Sequence, residues 1–213
     1  MAHKRQVLVN TVSGERFTFR ATASETDGEL LAFDLELTPD GAVPGPHVHP
    51  HQEERFEVMA GKMRFLKGAR SVTARAGDKV VVPPGTIHRF KNVGGTKAHV
   101  RVEVRPALNM EGLLETAVAL AREGRTNGGG MPNPLDLALF MRAFEAEVKA
   151  PFVPAGLARA VMAPLAWVAR RRGLDRIHVR PAPAPGTRTD SSRPPGRYAH
   201  SAPQPARPRR DAR

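Results

Sequence analysis

Short stretches rich in β-forming residues, separated by turn residues, constrain the fold of the first half of the chain most strongly. Seven of them follow one another between residues 5 and 105, including RQVLVNT, ERFTFRA, ELLAFDLEL and HVRVEVR. Turn pairs such as Asp40-Gly41 and Gly94-Gly95 lie between them. Many short strands at close spacing are typical of an all-β sandwich or barrel. We therefore predict a β domain over residues 1–105.

The pattern becomes helical after Pro106. Residues 106–179 contain three helix-like stretches, NMEGLLETAVALAREG, NPLDLALFMRAFEAEVK and AGLARAVMAPLAWVARRRG. The second begins with Asn133 as a candidate N-cap and Pro134 in the first turn, and the first ends at a glycine. We predict a helical region here, which closes the barrel mouth, covers a sheet face or forms a dimer contact.

The third helical stretch carries an apolar face and a basic end. The predicted face is formed by Leu157, Val161, Leu165 and Val168. Pro164 is expected to kink or divide this helix, because proline removes a backbone donor and clashes with the preceding turn. Packing on the barrel or across a dimer is the favoured interpretation, and attachment to a membrane surface is the alternative.

The charge of the chain is concentrated at its end. The formal net charge is +12, of which residues 180–213 supply +6. This segment is rich in proline and arginine and nearly free of aliphatic residues, so we predict a disordered tail. Binding of DNA or an acidic surface by the tail is the alternative, although only Tyr198 is available for stacking. We expect no specific nucleic-acid partner.

Other features of the sequence limit the compartment. The chain has no cysteine, which excludes disulfides, thiolate ligands and a thiol nucleophile. The N-terminus lacks an apolar run of secretory type, and no stretch reaches transmembrane length. We predict a cytoplasmic protein.

The stretch HVHPHQEERFEV, residues 47–58, is the strongest candidate for a functional site. Alternate side chains of a strand share a face, so His47 and His49 point the same way. Glu54 shares its parity with Phe56 and Val58, whereas Glu53 and Glu57 share theirs with an arginine. A carboxylate on an apolar interior face needs a partner, and a metal ion is the obvious one. Use of Glu53 instead of Glu54, through a β-bulge, is the alternative.

Two motifs in the sequence resemble those of the cupin superfamily. The first motif consists of Gly41, His47, His49, Glu54 and Gly61 at the expected spacing. The second consists of Gly77, Pro83, Gly85, His88 and Asn92. All ten specified positions match, and the 15 residues between the motifs are typical of compact single-domain cupins.

The resemblance implies a fold and a metal site. The implied fold is a jelly-roll-type antiparallel β-barrel, here followed by the small helical region and the tail. The implied metal ligands are His47, His49, Glu54 and His88, with Glu54 also the candidate catalytic residue as a proton acceptor. Three imidazoles and a carboxylate suit one divalent transition metal, namely Fe, Mn, Ni, Co, Cu or Zn, better than Ca or Mg.

The function implied by the resemblance is metal-dependent catalysis on a small molecule. We favour an enzyme of dioxygenase type, or a related isomerase or lyase, that acts on a small and possibly aromatic substrate. A non-catalytic module that binds a metal or a small ligand is the alternative. Four apolar residues are candidates to line the pocket, or else belong to the core: Phe56, Val58, Phe65 and Phe90. Single-domain cupins often form dimers, so we expect a homodimer.

Overall fold

Two antiparallel sheets form the first half of the molecule. The computed structural model describes residues 2–177. Its strands are β1 (Val7–Asn10), β2 (Glu15–Ala21), β3 (Leu31–Leu37), β4 (Glu53–Ala60), β5 (Lys62–Lys67), β6 (Arg70–Arg75), β7 (Lys79–Val82), β8 (His88–Asn92) and β9 (Ala98–Arg105). The larger sheet has the order β1-β2-β3-β9-β4-β7, and the smaller has the order β6-β5-β8.

The interior between the two sheets is the main hydrophobic core. Phe56 of the larger sheet lies 5.1 Å from Phe65 and 5.3 Å from Phe90 of the smaller sheet, measured between ring centroids. The larger sheet lines the same interior with alternate residues of β2, β3 and β9, which are buried. Gly61 allows the tight turn between β4 and β5, because it has φ +86° and an added Cβ would lie 2.7 Å from the Ala98 Cα.

Three α-helices follow the sheets. They are α1 (Met110–Arg122), α2 (Pro134–Ala143) and α3 (Ala155–Arg171). Helix α1 packs on β1 and on the core, whereas α3 packs on α2. The predicted fold class, mainly antiparallel β followed by helices, is confirmed for the described residues; the predicted disordered tail, 180–213, lies outside them. No helix within residues 2–177 is long and apolar enough to cross a membrane.

The structure differs from the sequence-based prediction at β6, β8 and α2. Strands β6 and β8 were not among the predicted stretches; β6 is mostly exposed and lacks a clear alternation, and β8 lies inside the second motif. Helix α2 ends at Ala143 instead of continuing to Lys149. The chain leaves the helix at Phe144, which is fully buried, and residues 147–149 then lie against the segment that contains His49.

Helix α3 also differs from its prediction. It runs through Pro164 without division. Its packed face consists of Ala166 and Ala169 with partly buried neighbours, because small side chains allow a close approach to α2. Leu157 and Val161 of the predicted apolar face are instead 57% and 50% exposed.

Candidate metal centre

Four side chains from two distant segments meet at one end of the β interior. Glu54 is the first inward-facing residue of β4, and His88 begins β8. His47 and His49 lie on the loop before β4, which an antiparallel bridge between His47 and His88 holds against β8. The local backbone pairing of the two motifs therefore brings the four residues together.

The ligand atoms of the four residues form a compact group. One nitrogen or oxygen from each of His47, His49, Glu54 and His88 lies within 4.8 Å of the other three. Glu54 Oε2 is 2.7 Å from His88 Nε2 and 3.5 Å from His49 Nε2. Two ligands at right angles on one metal, each about 2.1 Å from it, lie about 3 Å apart. The two separations measured from Glu54 are therefore compatible with ligands of one metal.

Hydrogen bonds orient the three imidazoles. His47 Nδ1 lies 3.0 Å from the Gly45 carbonyl oxygen, His88 Nδ1 lies 3.0 Å from that of Thr86, and His49 Nδ1 lies 2.5 Å from that of Glu147. A carbonyl oxygen only accepts, so each Nδ1 carries the hydrogen. In the neutral form of each ring the lone pair is therefore on Nε2, which is the atom that can bind a metal. A backbone carbonyl on the second nitrogen is the usual way in which proteins orient metal-binding histidines.

Two atoms at the centre of the group have no hydrogen-bond partner within the described part of the chain. Glu54 Oε2 and His88 Nε2 are both fully buried, and their close contact is not aligned for a hydrogen bond. An unsatisfied buried carboxylate oxygen is costly. A cation between these atoms satisfies both, so the residues present fit a divalent transition metal.

The electrostatics of the group point the same way. Burial acts to raise the pKa of Glu54, but the charges of His49 and its contact with His88 outweigh burial and lower this pKa to about 2. Burial and the neighbouring imidazoles lower the pKa of His47 to about 3. Burial acts to lower the pKa of His88 as well, but the Glu54 carboxylate outweighs it and raises that pKa. The group thus holds an ionised Glu54 and a neutral His47, which are the protonation states in which these side chains bind a metal.

The structure places the sequence-predicted residues on the expected sides of β4. Glu54, Phe56 and Val58 are buried, whereas Glu53 and Glu57 are partly exposed and stay outside the group. The alternative ligand Glu53 forms an ion pair with Arg55 on the outer face, so no bulge brings it inward. Asn92 of the second motif has a structural role, since its side chain binds the backbone of neighbouring loops.

A large cavity opens from His47, His49 and Glu54 into the interior. Its volume is about 720 Å³, and its walls come from β1, β2, β3, β4, β8 and β9 on one side and from the three helices on the other. Of the four candidates, Phe56 and Phe90 line the cavity, whereas Val58 and Phe65 do not, and all four belong to the buried core. Leu157 and Val161 of α3 contribute to the wall although they are half exposed, so the cavity opens to solvent beside this helix.

Two important residues were missed by the sequence analysis. Glu15 lines the cavity from β2, and the alternation that identified Glu54 applies to it as well, because Glu15, Phe17 and Phe19 all face inward. Glu147, by contrast, acts through its backbone carbonyl on His49 from 98 residues away. No pattern in the sequence signals that contact.

Comparisons with known proteins agree with this description. Residues 33–104 match the family model described as the cupin domain. No curated protein shows significant sequence similarity to the chain.

Several solved structures align with about half of the chain. A predicted oxalate decarboxylase from Thermotoga maritima is 20% identical, covers 48% of this chain and 92% of its own, and has a TM-score of 0.44. An RmlC-like cupin from Shewanella frigidimarina is 17% identical, with 50% and 88% covered and a TM-score of 0.42. The Cnp3 cupin domain of Schizosaccharomyces pombe is 15% identical, with 56% and 74% covered and a TM-score of 0.41.

Proposed function

We propose, from the premise that this chain belongs to the cupin superfamily, that it is a metal-dependent enzyme acting on a small, largely apolar organic molecule. We assign the metal to His47, His49, Glu54 and His88. The proposed reaction is of dioxygenase type, with isomerase or lyase chemistry as the related possibility.

The observation that carries this proposal is the position of the four residues at one end of the large apolar cavity. Enzyme and cofactor pockets are typically concave, have volumes of about 300–1,000 Å³, and combine apolar walls with a few polar groups. The cavity of about 720 Å³ has these properties, and His47, His49 and Glu54 form part of its wall. A ligand in the cavity therefore contacts the proposed metal position directly.

The chain itself contributes orientation, exclusion of water and a proton acceptor. A bound divalent metal with four protein ligands supplies Lewis-acid or oxygen chemistry at its remaining positions. The apolar side chains of Phe56 and Phe90 exclude water from their side of a ligand beside the site, whereas the cavity opens to solvent beside α3. Glu54 has a second carboxylate oxygen and is the candidate group to accept a proton from the ligand.

A non-catalytic binding module is the second candidate. The observation that favours it is the scarcity of polar groups in the cavity wall: besides the proposed ligands, the strongly polar side chains among the described residues are Lys149, Asn10 and Glu15. Oxygen uptake by the metal-loaded protein across a panel of aromatic substrates distinguishes the two. Uptake with any substrate supports the enzyme, and ligand binding without turnover supports the module.

Metal content tests the assignment of the site. Full-length protein purified without a histidine tag or chelator is analysed by elemental analysis, together with Glu54→Ala and the matched control Glu53→Ala. We expect about one metal per chain in the wild type and in Glu53→Ala, and its loss in Glu54→Ala, because Glu54 faces the three imidazoles and Glu53 does not. Equal metal content in all three proteins would overturn the assignment.

Two further features remain predictions. They are the division of the chain into a cupin domain (1–105), a helical extension (106–179) and a tail (180–213), and the formation of a homodimer in the cytoplasm. Light scattering of the purified chain measures the oligomeric state.

A further inference from the structure

The cavity has a second polar end, far from the proposed metal site. Glu15 of β2 pairs with Leu37 of β3, whereas Glu54 of β4 pairs with Val104 of β9, which in turn pairs with Leu31. Leu31 and Leu37 are six residues apart on β3, which corresponds to about 20 Å along an extended strand. Both Glu15 and Glu54 nevertheless line the same cavity.

The Glu15 carboxyl group is held in place by a short polar chain. Ser13 Oγ donates a hydrogen bond to Glu15 Oε2 at 2.5 Å. Asn10 Oδ1 in turn accepts hydrogen bonds from the backbone amides of Val12 and Ser13 at 3.1 Å and 3.3 Å. Asn10 and Glu15 are both buried and line the cavity, so the turn between β1 and β2 presents a preorganised polar group to it.

The carboxyl group of Glu15 makes no evident contribution to the stability of the fold. Glu15 is 6% exposed, and no cation pairs with it in the described part of the chain. Its neighbours on the inner faces are apolar, including Phe17 on its own strand and Leu37 on the next. Burial raises the pKa of Glu15 to about 7, against which the Ser13 hydrogen bond acts only partly. Burying a carboxyl group with one partner is unfavourable, and such groups mark functional sites.

We propose that Glu15 is a specificity-determining residue that accepts a hydrogen bond from a hydroxyl or amine group at the distal end of an elongated, otherwise apolar ligand. The other end of that ligand faces the proposed metal position beside His47, His49 and Glu54, so this substrate class rests on the proposed function. The apolar side chains between the two ends, such as Phe33, Leu35 and Phe56, contact the body of the ligand.

Metal-free protein tests the distal contact by itself. Full-length protein treated with EDTA is titrated by calorimetry at pH 8.5, where Glu15 is mostly ionised and can only accept, with straight-chain alcohols from octanol to dodecanol and with the corresponding methyl ethers. We expect the best-fitting alcohol to bind about tenfold more tightly than its ether, as is typical of a hydrogen bond to a charged group. We expect the ratio of the alcohol affinity to the ether affinity to fall to about one in Glu15→Leu and to take an intermediate value in Glu15→Gln. The same ratio is expected to be unchanged in the control Glu57→Gln.

The proposal is overturned if the wild type does not distinguish alcohol from ether, or if the ratio persists in Glu15→Leu. Far-ultraviolet circular dichroism and thermal unfolding verify that each variant is folded. Should Glu15→Leu fail to fold, the ratio in Glu15→Gln decides instead, and a ratio equal to that of the wild type overturns the proposal.

A second titration separates this inference from the proposed metal site. Protein loaded with Co²⁺ is titrated with alkyl hydroxamates, which chelate metals, and with their ω-hydroxy analogues, while the cobalt absorption spectrum reports on the head group. We expect spectral changes in both the wild type and Glu15→Leu. The increase in affinity that the ω-hydroxyl group provides is expected in the wild type and not in Glu15→Leu. A spectrum that does not respond in either protein contradicts the metal site, and the metal-free titration then still decides the role of Glu15.

Discussion

The three histidines of the candidate centre differ in where their orienting hydrogen bonds come from. His47 and His88 are oriented by carbonyl groups two residues away, Gly45 and Thr86, within the motifs themselves. His49 is oriented by the carbonyl group of Glu147, which lies beyond α2 in the helical region. The β region is therefore sufficient for two of the imidazoles, and the third depends on the helices.

The same contrast holds for the cavity. The β region supplies a rigid wall of buried side chains, whereas the helical wall consists of α1 on the core and of α2 and α3, which pack mainly on each other. The segment after α2 is the connection between the two regions, because Lys149 forms an antiparallel bridge with Val48 beside the ligands. We infer that disturbing this segment affects the metal centre before it affects the sheets.

The largest effect is expected from Phe144→Ala. Phe144 is fully buried against Leu120, Phe140 and Val148, so its truncation is expected to destabilise the protein by about 3–5 kcal/mol. Phe19→Ala, in the β core and equally buried, is the matched control with a similar expected loss. Thermal unfolding monitored by circular dichroism measures both losses.

The metal affinities of the two variants test the role of the helical region more specifically than their losses of stability do. At a temperature where both remain folded, we expect metal affinity to fall in Phe144→Ala and to stay near the wild-type value in Phe19→Ala, since only the former loosens the segment that holds His49. Equal metal affinities in the two variants would mean that the helical region does not support the centre.

Glu15 of the β region is expected to make the stability of the protein depend on pH, independently of the four residues of the candidate centre. Glu15 has a pKa of about 7 in the folded protein, raised from 4.5 by burial. Between these pH values Glu15 is ionised in the unfolded chain but keeps its proton in the folded protein. The free energy of unfolding therefore falls as the pH rises, by up to about 3 kcal/mol above pH 7. Below pH 4.5 Glu15 is protonated in both the folded and the unfolded state, and this loss of stability disappears.

Glu15→Gln is expected to remove this dependence. Urea unfolding of the metal-free variant and wild type should give free energies of unfolding that diverge in favour of the variant as the pH rises from 4.5 to 8. The partly exposed control Glu57→Gln should follow the wild-type curve. Parallel curves for Glu15→Gln and the wild type would show that the Glu15 carboxyl group titrates normally.

Local alternation and motif spacing made most of the β region predictable. Strand β2 has the predicted bounds, 15–21, and β4 begins one residue before the prediction. The inward direction of Glu54 followed from the parity of Phe56 and Val58, and the structure brings Glu54 together with the three predicted histidines.

Long-range contacts were not predictable in the same way. Helix α2 ends early because Phe144 and the residues after it bury against other elements, which overrides the helical propensity of the sequence AFEAEVK. The choice of Ala166 and Ala169 as the packed face of α3 depends on the partner helix, since alanine and leucine both fit an amphipathic pattern. The backbone contact between Glu147 and His49 has no counterpart in side-chain patterns at all.

The smallest expected effect comes from the side chain of Glu147, and it tests the connection most directly. Glu147 Oε1 accepts a hydrogen bond from the backbone amide of Asn109 at 3.0 Å, which fixes the position of the carbonyl group that orients His49. Glu147→Ala removes this support without touching a ligand, and loss of an outer partner typically lowers metal affinity about 10- to 100-fold. We expect the lower end of this range, because the bridge between Val48 and Lys149 remains.

Glu147→Gln keeps an accepting oxygen and should restore most of the affinity in a competition titration with a chelator. If Glu147→Ala binds metal as tightly as the wild type, the bridge alone positions the carbonyl group, and the dependence of His49 on the helical region rests on backbone pairing.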